Sequence, residues 1–416
     1  MENKKVLIIG GGVAGLSVSL ALARYRIETV VVEKSDFLGG HGIQFSCKAA
    51  DQCVKCGACV VEEKLKLALA HPGIHMMTGC RVDRIQRNRR FHYRVHRSPH
   101  YMDPQKCTDC GTCREICPAD GAIRRGYSAH HSPFFAIRET ACLYMKDRSC
   151  AKCRDACPEG AITLEAEPET ETGEVDAVVV ATGFKAFDPA DKPYGYGMFP
   201  DVVTNLELER MLRREGRVIR PSTGEAPHTM AFVQCVGSRD GKLNHLWCSK
   251  VCCASALRMA MRIKRQQPDT DISVFYIDIQ TFGRDFESFY KESREELHFI
   301  RAIPGDIVRN EHQNLQMTFF NNEEHRSMDA EFDLVVLSIG IQPCDDFSKF
   351  SRILALPLSE NGFALPAEEG AGIFTAGAVQ GPMGIAESVA GAGDTAWAVY
   401  SYLRGTHATS GSEAPE

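Results

Sequence analysis

Cysteine is the residue type whose placement promises chemistry in this sequence. The chain of 416 residues has 18 cysteines, and sixteen fall into four groups of four: Cys47, Cys53, Cys56 and Cys59; Cys107, Cys110, Cys113 and Cys117; Cys142, Cys150, Cys153 and Cys157; Cys235, Cys248, Cys252 and Cys253. Only Cys80 and Cys344 stand apart. Four thiolates are what one [4Fe–4S] cluster takes. A secreted disulfide scaffold is a poor reading of a long chain that is 44% hydrophobic and starts, after Met-Glu-Asn-Lys-Lys, straight into a strand with no signal peptide expected. The net charge of -6 carries no nucleic-acid footprint. Apolar runs such as Val6–Ile9 and Val178–Ala181 fall far short of the roughly 18 residues that a membrane span needs.

The middle of the chain reads as a bacterial-type ferredoxin. Cys107-x2-Cys110-x2-Cys113-x3-Cys117-Pro118 is the full ligand run, whose last cysteine serves the other cluster of a pair. Its repeat, Cys150-x2-Cys153-x3-Cys157-Pro158, carries Asp147 where the first cysteine belongs, and Cys142 just upstream is the natural substitute. The expected ligand sets are Cys107, Cys110, Cys113 and Cys157 for one cluster, and Cys117, Cys142, Cys150 and Cys153 for the other. Zinc is the alternative, but it favours two separated C-x2-C knuckles over a three-knuckle run ending in Cys-Pro.

The elements that must position these cysteines begin at the N-terminus. Lys5–Ile9 is an apolar run suited to a buried parallel strand. Gly10-Gly11-Gly12-Val13-Ala14-Gly15 follows as G-x-G-x-x-G, then a helical stretch with Leu16, Leu20, Ala21 and Ala23 on one side, then a strand Thr29–Val32 ending in Glu33. The glycines permit a tight turn and let a pyrophosphate approach the backbone at a helix N-terminus; Glu33 is placed to accept from the adenosine ribose. Gly39 and Gly40 follow at the distance typical of FAD-binding members. DAVVVATG at 176–183 predicts a buried strand ending in the turn Ala181-Thr182-Gly183. GIFTAGA at 372–378 predicts a strand whose end, Gly377 and Ala378, faces the flavin; the usual acid is absent, since Ala378 stands there. The helix from about Ile385 to Leu403 would point its N-terminus at the pyrophosphate or the ring. Lys34, Val82 and Ile385 complete the candidate cofactor-binding residues. No catalytic acid–base pair is evident.

A second nucleotide-binding unit is expected after the Ala-Thr-Gly turn, but rebuilt. Its strand, Thr229–Val233, leads into Gln234-Cys235-Val236-Gly237 without a G-x-G-x-x-G, and Trp247-Cys248-Ser249-Lys250-Val251-Cys252-Cys253 opens a helix from Ala254 to about Lys264. The next strand is read as Ile272–Ile279. Cys235, Cys248, Cys252 and Cys253 would converge where a pyrophosphate otherwise sits and can hold a [4Fe–4S] cluster; buried free thiols are the alternative. NAD(P)H would then lose its usual place.

These motifs, with CVGSRD at 235–240, WCSKVCC at 247–253 and YIDIQTFGRDFESFY at 276–290, resemble the A subunit of heterodisulfide reductases from Val6 to about Tyr402. Beginning at the flavin strand and stopping after the flavin-closing helix, the chain looks most similar to the A subunit of the quinone-interacting membrane-bound oxidoreductases of sulfate reducers. The resemblance implies FAD, [4Fe–4S] clusters, a second related flavoprotein partner and a haem-bearing membrane subunit. It also implies an electron route between menaquinol and adenylylsulfate reductase, and a cytoplasmic place peripheral to the inner face of the membrane. A soluble heterodisulfide-reductase-type subunit, serving electron bifurcation or sulfur oxidation, is the alternative; a scaffold without redox chemistry is a third. Relatives usually carry a C-x2-C matching Cys56 and Cys59. This chain adds Cys53 and Cys47, so Cys53, Cys56 and Cys59 form a further candidate metal site with Cys47 or Cys80 as fourth ligand, against a redox-active thiol pair or structural thiols.

The expected fold is α/β: a two-dinucleotide-binding-domain flavoprotein of the thioredoxin/disulfide reductase type with an inserted double-cluster ferredoxin domain. Its expected parts are 1–100 and 340–405 for the two pieces of the FAD domain, 101–168 for the insert, 169–186 for the returning strand and turn, and 187–339 for the degenerate NAD(P)H-type domain. A disordered tail at 406–416 completes them. The histidines at 92–100 and 130–131 and Arg87, Arg89 and Arg90 read as solvated surface.

Overall fold

A computed structural model describes residues 4–49, 52–126, 135–280, 282–283, 285–311, 314–322 and 324–405. The tail expected at 406–416 and the histidines at 130 and 131 lie outside the described residues. The first sheet is parallel and five-stranded, in the order Ile373–Thr375, Ala177–Val180, Lys5–Ile9, Glu28–Val32, Ile74–Met77. Its central strands are apolar along their whole length because both faces are covered. Alternate residues serve different cores: Val6 and Ile8 pack with Leu16, Val18 and Leu22 of helix Val13–Arg24 and with Ala392, Ala396 and Val399 of helix Ile385–Leu403. Leu7 and Ile9 turn to the other side, against Val82, Phe91 and Val175 of an antiparallel three-stranded sheet and Phe347 and Phe350 of helix Phe347–Leu354.

The ferredoxin-like segment leaves and re-enters that antiparallel sheet at one point. Strand Phe91–Arg97 pairs with strand Glu169–Val175, and Arg97 lies opposite Glu169. The intervening chain starts and ends on cross-strand partners, so it loops out without opening the sheet. It has its own small core of Tyr101, Met102, Ile123, Phe135, Ile137, Ile162 and Leu164, into which Cys113, Cys142 and Cys153 are packed.

Phe184–Ala186 pairs antiparallel with Ile341–Pro343, a two-stranded link through which the chain enters and leaves the second unit. That unit has a parallel sheet ordered Val202–Thr204, Leu334–Ile339, Thr229–Val236, Asp271–Phe275, His298–Ile300. Helices Asn205–Glu215, Cys252–Gln266 and Phe286–Glu296 contribute Leu208, Leu257 and Phe286 to the core on one face. An antiparallel sheet of Pro304–Arg309, Leu315–Asn321 and Arg326–Phe332 covers the other face. Three boundaries differ from the sequence reading. The strand expected at Ile272–Ile279 ends at Phe275, because Asp278 is drawn out of the sheet line by an ion pair with Arg239. The strand from Thr229 runs on to Val236 through a bulge after Val233. The helix expected from Ala254 starts at Cys252, two residues earlier.

A buried ion pair joins the two units. Lys48, which follows the Gly39-Gly40 turn, pairs with Glu209 of helix Asn205–Glu215, and their side chains are 4% and 2% exposed. Glu209 also accepts from the Ser46 amide at 3.0 Å and the Ser46 hydroxyl at 3.1 Å, and Arg213 donates to the Phe45 carbonyl at 2.8 Å. A buried carboxylate keeps its charge only with such a full set of donors. Glu209→Leu should therefore leave the Lys48 ammonium stranded and cost roughly 3–5 kcal/mol. Thermal and chemical denaturation should show that loss for the single substitution and recovery of most of it for Lys48→Met with Glu209→Leu.

Candidate flavin and iron–sulfur centre

Backbone crowding at the first glycine turn leaves no room for a side chain. Gly10 has φ +113, and a Cβ there would lie 2.3 Å from the Ala181 carbonyl oxygen. A Cβ on Gly15 would lie 2.0 Å from the Gly10 carbonyl oxygen, so the helix sits directly on the turn. Gly12 caps that helix and bridges to Gly39, whose neighbour Gly40 also packs against it. Glu33 is buried and accepts from the Gly11 amide and the Ser35 amide, each at 2.8 Å, and from the Ser35 hydroxyl at 2.9 Å. These bonds fix the carboxylate beside the glycine turn, and its remaining lone pairs stay open to ribose hydroxyls.

A long cleft starts at this turn. Gly10, Gly12, Val13, Ala14, Glu33, Lys34, Gly39, Gly40, Ala181, Thr182, Gly183, Ala378 and Ile385 all line it. Three expected residues do not line it. Gly15 and Gly377 act one layer behind: Gly377, at φ +74, would drive a Cβ to 2.4 Å from the Ala14 Cβ. Val82 is buried in the core beneath the antiparallel sheet, and its carbonyl accepts from Lys349 Nζ at 3.1 Å; its apolar side chain is claimed by packing. The Thr182 hydroxyl is buried on the cleft wall with no hydrogen-bond partner among the described residues. An orphaned hydroxyl there, beside a turn that only glycine allows, suits the polar atoms of a flavin dinucleotide.

The ferredoxin-like segment brings its cysteines together in the two sets read from the repeat. A small cavity is lined by Cys107, Cys110, Cys113 and Cys157. Burial, with Cys107 and then Cys153 and Cys110 as like-charged neighbours, pushes the Cys113 thiol up to about 12. Burial, with Cys142, Cys117 and Cys150, pushes the Cys153 thiol up to about 11. Amide hydrogens already point at sulfur: Ala161 donates to Cys157 Sγ at 3.3 Å. Arg114, Arg124, Arg125 and Arg138 of this segment form part of the cleft wall, and Arg124 pairs with Asp36 of the nucleotide unit. The sequence offered no signal for that basic wall beyond single arginines.

In the second unit, the four thiols of the rebuilt turn converge. Cys235 sits in the strand bulge at φ +61, an uncommon conformation for a side chain with a Cβ. Cys252 and Cys253 open helix Cys252–Gln266, and Lys250 donates its amide to Cys248 Sγ at 3.3 Å. Burial, then Cys253 and Cys248 with Asp278, pushes the Cys235 thiol up to about 11. Cys252 is pushed far up by burial and then by Cys253, Cys235 and Cys248. Thiols crowded and buried in this way ionise only against a cationic centre, which fits an iron–sulfur donor set. Among the described residues, no three His, Cys, Asp or Glu side chains are gathered closely enough to hold one metal ion.

The first group is more open. Cys53 and Cys59 are exposed, and Cys56 lines the cleft next to Gly57, which packs on Ile385. Arg258 of helix Cys252–Gln266 stands beside Cys56 and Cys53, and Arg262, one turn on, donates to the Cys47 carbonyl. Cys80 is buried under the antiparallel sheet and donates to the Thr78 carbonyl at 3.2 Å. Cys47 thus meets helix Cys252–Gln266 through Arg262, while Cys80 is packed in the core beside the first sheet.

The architecture is that of a two-dinucleotide-domain flavoprotein with an iron–sulfur insert. It matches the thioredoxin reductase of T. acidophilum with a TM-score of 0.55 at 13% identity, over 97% of this chain and 100% of that one. The thioredoxin reductase of Lactococcus lactis gives 0.53 at 14%, over the same shares. A model described as NAD(P)-binding Rossmann-like domain matches residues 8–58, and one described as 4Fe-4S binding domain matches residues 100–121. The A subunit of the H(2):CoB-CoM heterodisulfide,ferredoxin reductase of Methanothermobacter thermautotrophicus is 34% identical over 95% of this chain and 63% of its own length. The iron-sulfur A subunit of the CoB--CoM heterodisulfide reductase of Methanocaldococcus jannaschii is 34% identical over 95% of this chain and 64% of its own length. The chain is similar to these heterodisulfide reductase A subunits along nearly its whole length, and it spans just under two thirds of theirs. FAD and [4Fe–4S] clusters are the cofactors of this fold and donor set.

Two substitutions test the assignments separately. Gly15→Ala should abolish flavin retention, read as loss of the visible absorbance of oxidised flavin, while leaving iron content unchanged. Cys157→Ser should remove one cluster, about four irons per chain, and leave the flavin in place.

Proposed function

We propose that this chain is the flavin and iron–sulfur electron-transfer subunit of a multisubunit oxidoreductase. The observation that carries the reading is the cleft itself: one wall is the glycine turn, another is the arginine face of the ferredoxin-like segment, and a third is Ala254, Ser255 and Arg258 of helix Cys252–Gln266, the helix whose first turn carries Cys252 and Cys253. FAD bound there supplies the conversion between two-electron and one-electron transfer. The chain's own residues do the rest. The Gly10–Gly15 turn and the N-terminus of helix Val13–Arg24 take the pyrophosphate, Glu33 takes the ribose, and Thr182 offers its hydroxyl. Cys107, Cys110, Cys113 and Cys157 hold one cluster; Cys117, Cys142, Cys150 and Cys153 hold a second; Cys235, Cys248, Cys252 and Cys253 hold a third. Cys53, Cys56 and Cys59 form a further site beside Arg258. The domain limits drawn from the sequence go with this assignment. In the second unit the place of a nicotinamide dinucleotide is given over to thiols, so hydride transfer from NAD(P)H is not its task.

At the finer level, the chain relays electrons between menaquinol and adenylylsulfate reductase in sulfate respiration, as the A component of a quinone-interacting complex. Its partners are a related flavoprotein and a haem-bearing membrane subunit. Through them it lies on the cytoplasmic face of the membrane. Among the described residues no helix is long and apolar enough to cross a membrane, so in this reading a partner meets the quinone. The motifs at 235–240, 247–253 and 276–290 support it.

Anaerobic titration of the loaded chain with NADH or NADPH should leave the flavin oxidised over minutes; rapid bleaching by either would overturn the rebuilt second unit. Affinity purification from the native host should bring down a haem-bearing membrane subunit. Recovery of a heterodisulfide-cleaving subunit in its place would sink the sulfate-respiration assignment.

A further inference from the structure

The cations around Cys235, Cys248, Cys252 and Cys253 differ in where they point. Lys250 turns away from it: its Nζ lies 3.9 Å from Glu387 and 5.8 Å from the Phe282 ring centroid. Lys192 is matched to Asp240, and Arg301 donates to the Ile277 carbonyl at 3.1 Å. Arg239 stays with the thiols. It follows Cys235 by four residues, and its amide donates at 3.1 Å to the carbonyl of Trp247, the residue before Cys248. Its guanidinium donates to both oxygens of Asp278, at 2.6 and 2.9 Å. The Asp278 carbonyl in turn lies 4.0 Å from Cys253 Sγ. Gln280 Nε2 adds a bond to Asp278 Oδ1 at 2.7 Å. The fork therefore spans the loop between two cysteines and the strand extension beside a third. Backbone strain is concentrated here as well: Cys235, Arg239 and Lys250 all have φ between +54 and +61 without being glycine. Such conformations persist only where the surroundings over-determine them.

We propose that Arg239 and Asp278 are positioning residues that set the reduction potential of the cluster held by Cys235, Cys248, Cys252 and Cys253. The inference rests on the reading of those thiols as a cluster site. One electron passes from a reduced donor, the flavin, to the cluster; no bond is made and no proton moves. The cluster with its four thiolates gains one negative charge in that step. A guanidinium held beside it favours the reduced form, and the carboxylate paired with that guanidinium offsets part of the effect. The two residues act with opposite sign. Arg239→Gln should make reduction harder, Asp278→Asn should make it easier, and the double variant should lie near the unchanged protein. Arg239→Lys keeps the charge and should stay close to the parent.

The test is a potentiometric titration of the full chain, loaded with FAD and iron and followed by electron paramagnetic resonance. The relevant signal is the one lost in Cys253→Ser. The expected shift is about tenfold in the one-electron equilibrium, about 59 mV, downward for Arg239→Gln and upward for Asp278→Asn. An unshifted potential in Arg239→Gln with full iron content, or an equal shift in Arg239→Lys, would overturn the proposal. If Arg239→Gln sheds iron, the sign of the Asp278→Asn shift decides: upward supports the proposal, and none or downward refutes it. If Cys253→Ser loses neither iron nor any signal, it is the cluster reading that fails instead.

Discussion

Several thiols buried side by side cannot all ionise unless something positive stands among them. That electrostatic cost bears on both the ferredoxin-like segment and the second unit. It falls on Cys252, whose thiol is pushed up by burial and then by three neighbouring thiols, and on Cys113 and Cys153 in the ferredoxin-like core. Apolar residues pack tightly around these thiols, so water cannot relieve the cost. In the proposed assignment iron relieves it, and amides already point at the sulfurs of Cys157 and Cys248.

The frame around the thiols serves to hold distances constant. Arg97 and Glu169 sit opposite one another, so the ferredoxin-like segment is tied at one point of a sheet whose other face covers the nucleotide strands. Arg124 and Asp36 tie it a second time. On the far side, Lys48 and Glu209 join the loop after the Gly39-Gly40 turn to the second unit, and Arg262 reaches the same loop. Electron transfer needs fixed separations between carriers. A buried ion pair contributes little net stability but tolerates only one register, because each charge is stranded when the other moves away.

The strand, turn and helix of the first nucleotide unit, the Ala-Thr-Gly turn and the crowding of Cys107, Cys110, Cys113 and Cys157 round one cavity were all legible from spacing. In those places local sequence dictates local geometry: Gly10 and Gly15 are glycines because a Cβ would strike backbone at 2.3 and 2.0 Å, and three cysteines two residues apart can only crowd one loop. Other features were not legible. The run after Phe275 reads as strand by composition, yet Arg239 pulls Asp278 out of line. Val82 reads as a cofactor contact, yet it is spent in the core. Cys47 and Cys80 were equal on paper as partners of Cys53; in the fold Cys47 meets helix Cys252–Gln266 through Arg262, and Cys80 is packed in a core.

The sequence by itself determined where the candidate thiol groups and the glycine turn lie, since residue type and short-range spacing are local properties of the chain. Only the tertiary structure decided how those sites face one another. The cleft shared by the glycine turn, the arginine wall and the thiol-bearing helix is built from segments far apart in the chain. So are the pairs Lys48–Glu209 and Arg239–Asp278. Such contacts depend on how two sheets and an insert pack together, and no periodicity or motif along the chain encodes a separation between residues that meet only in the fold.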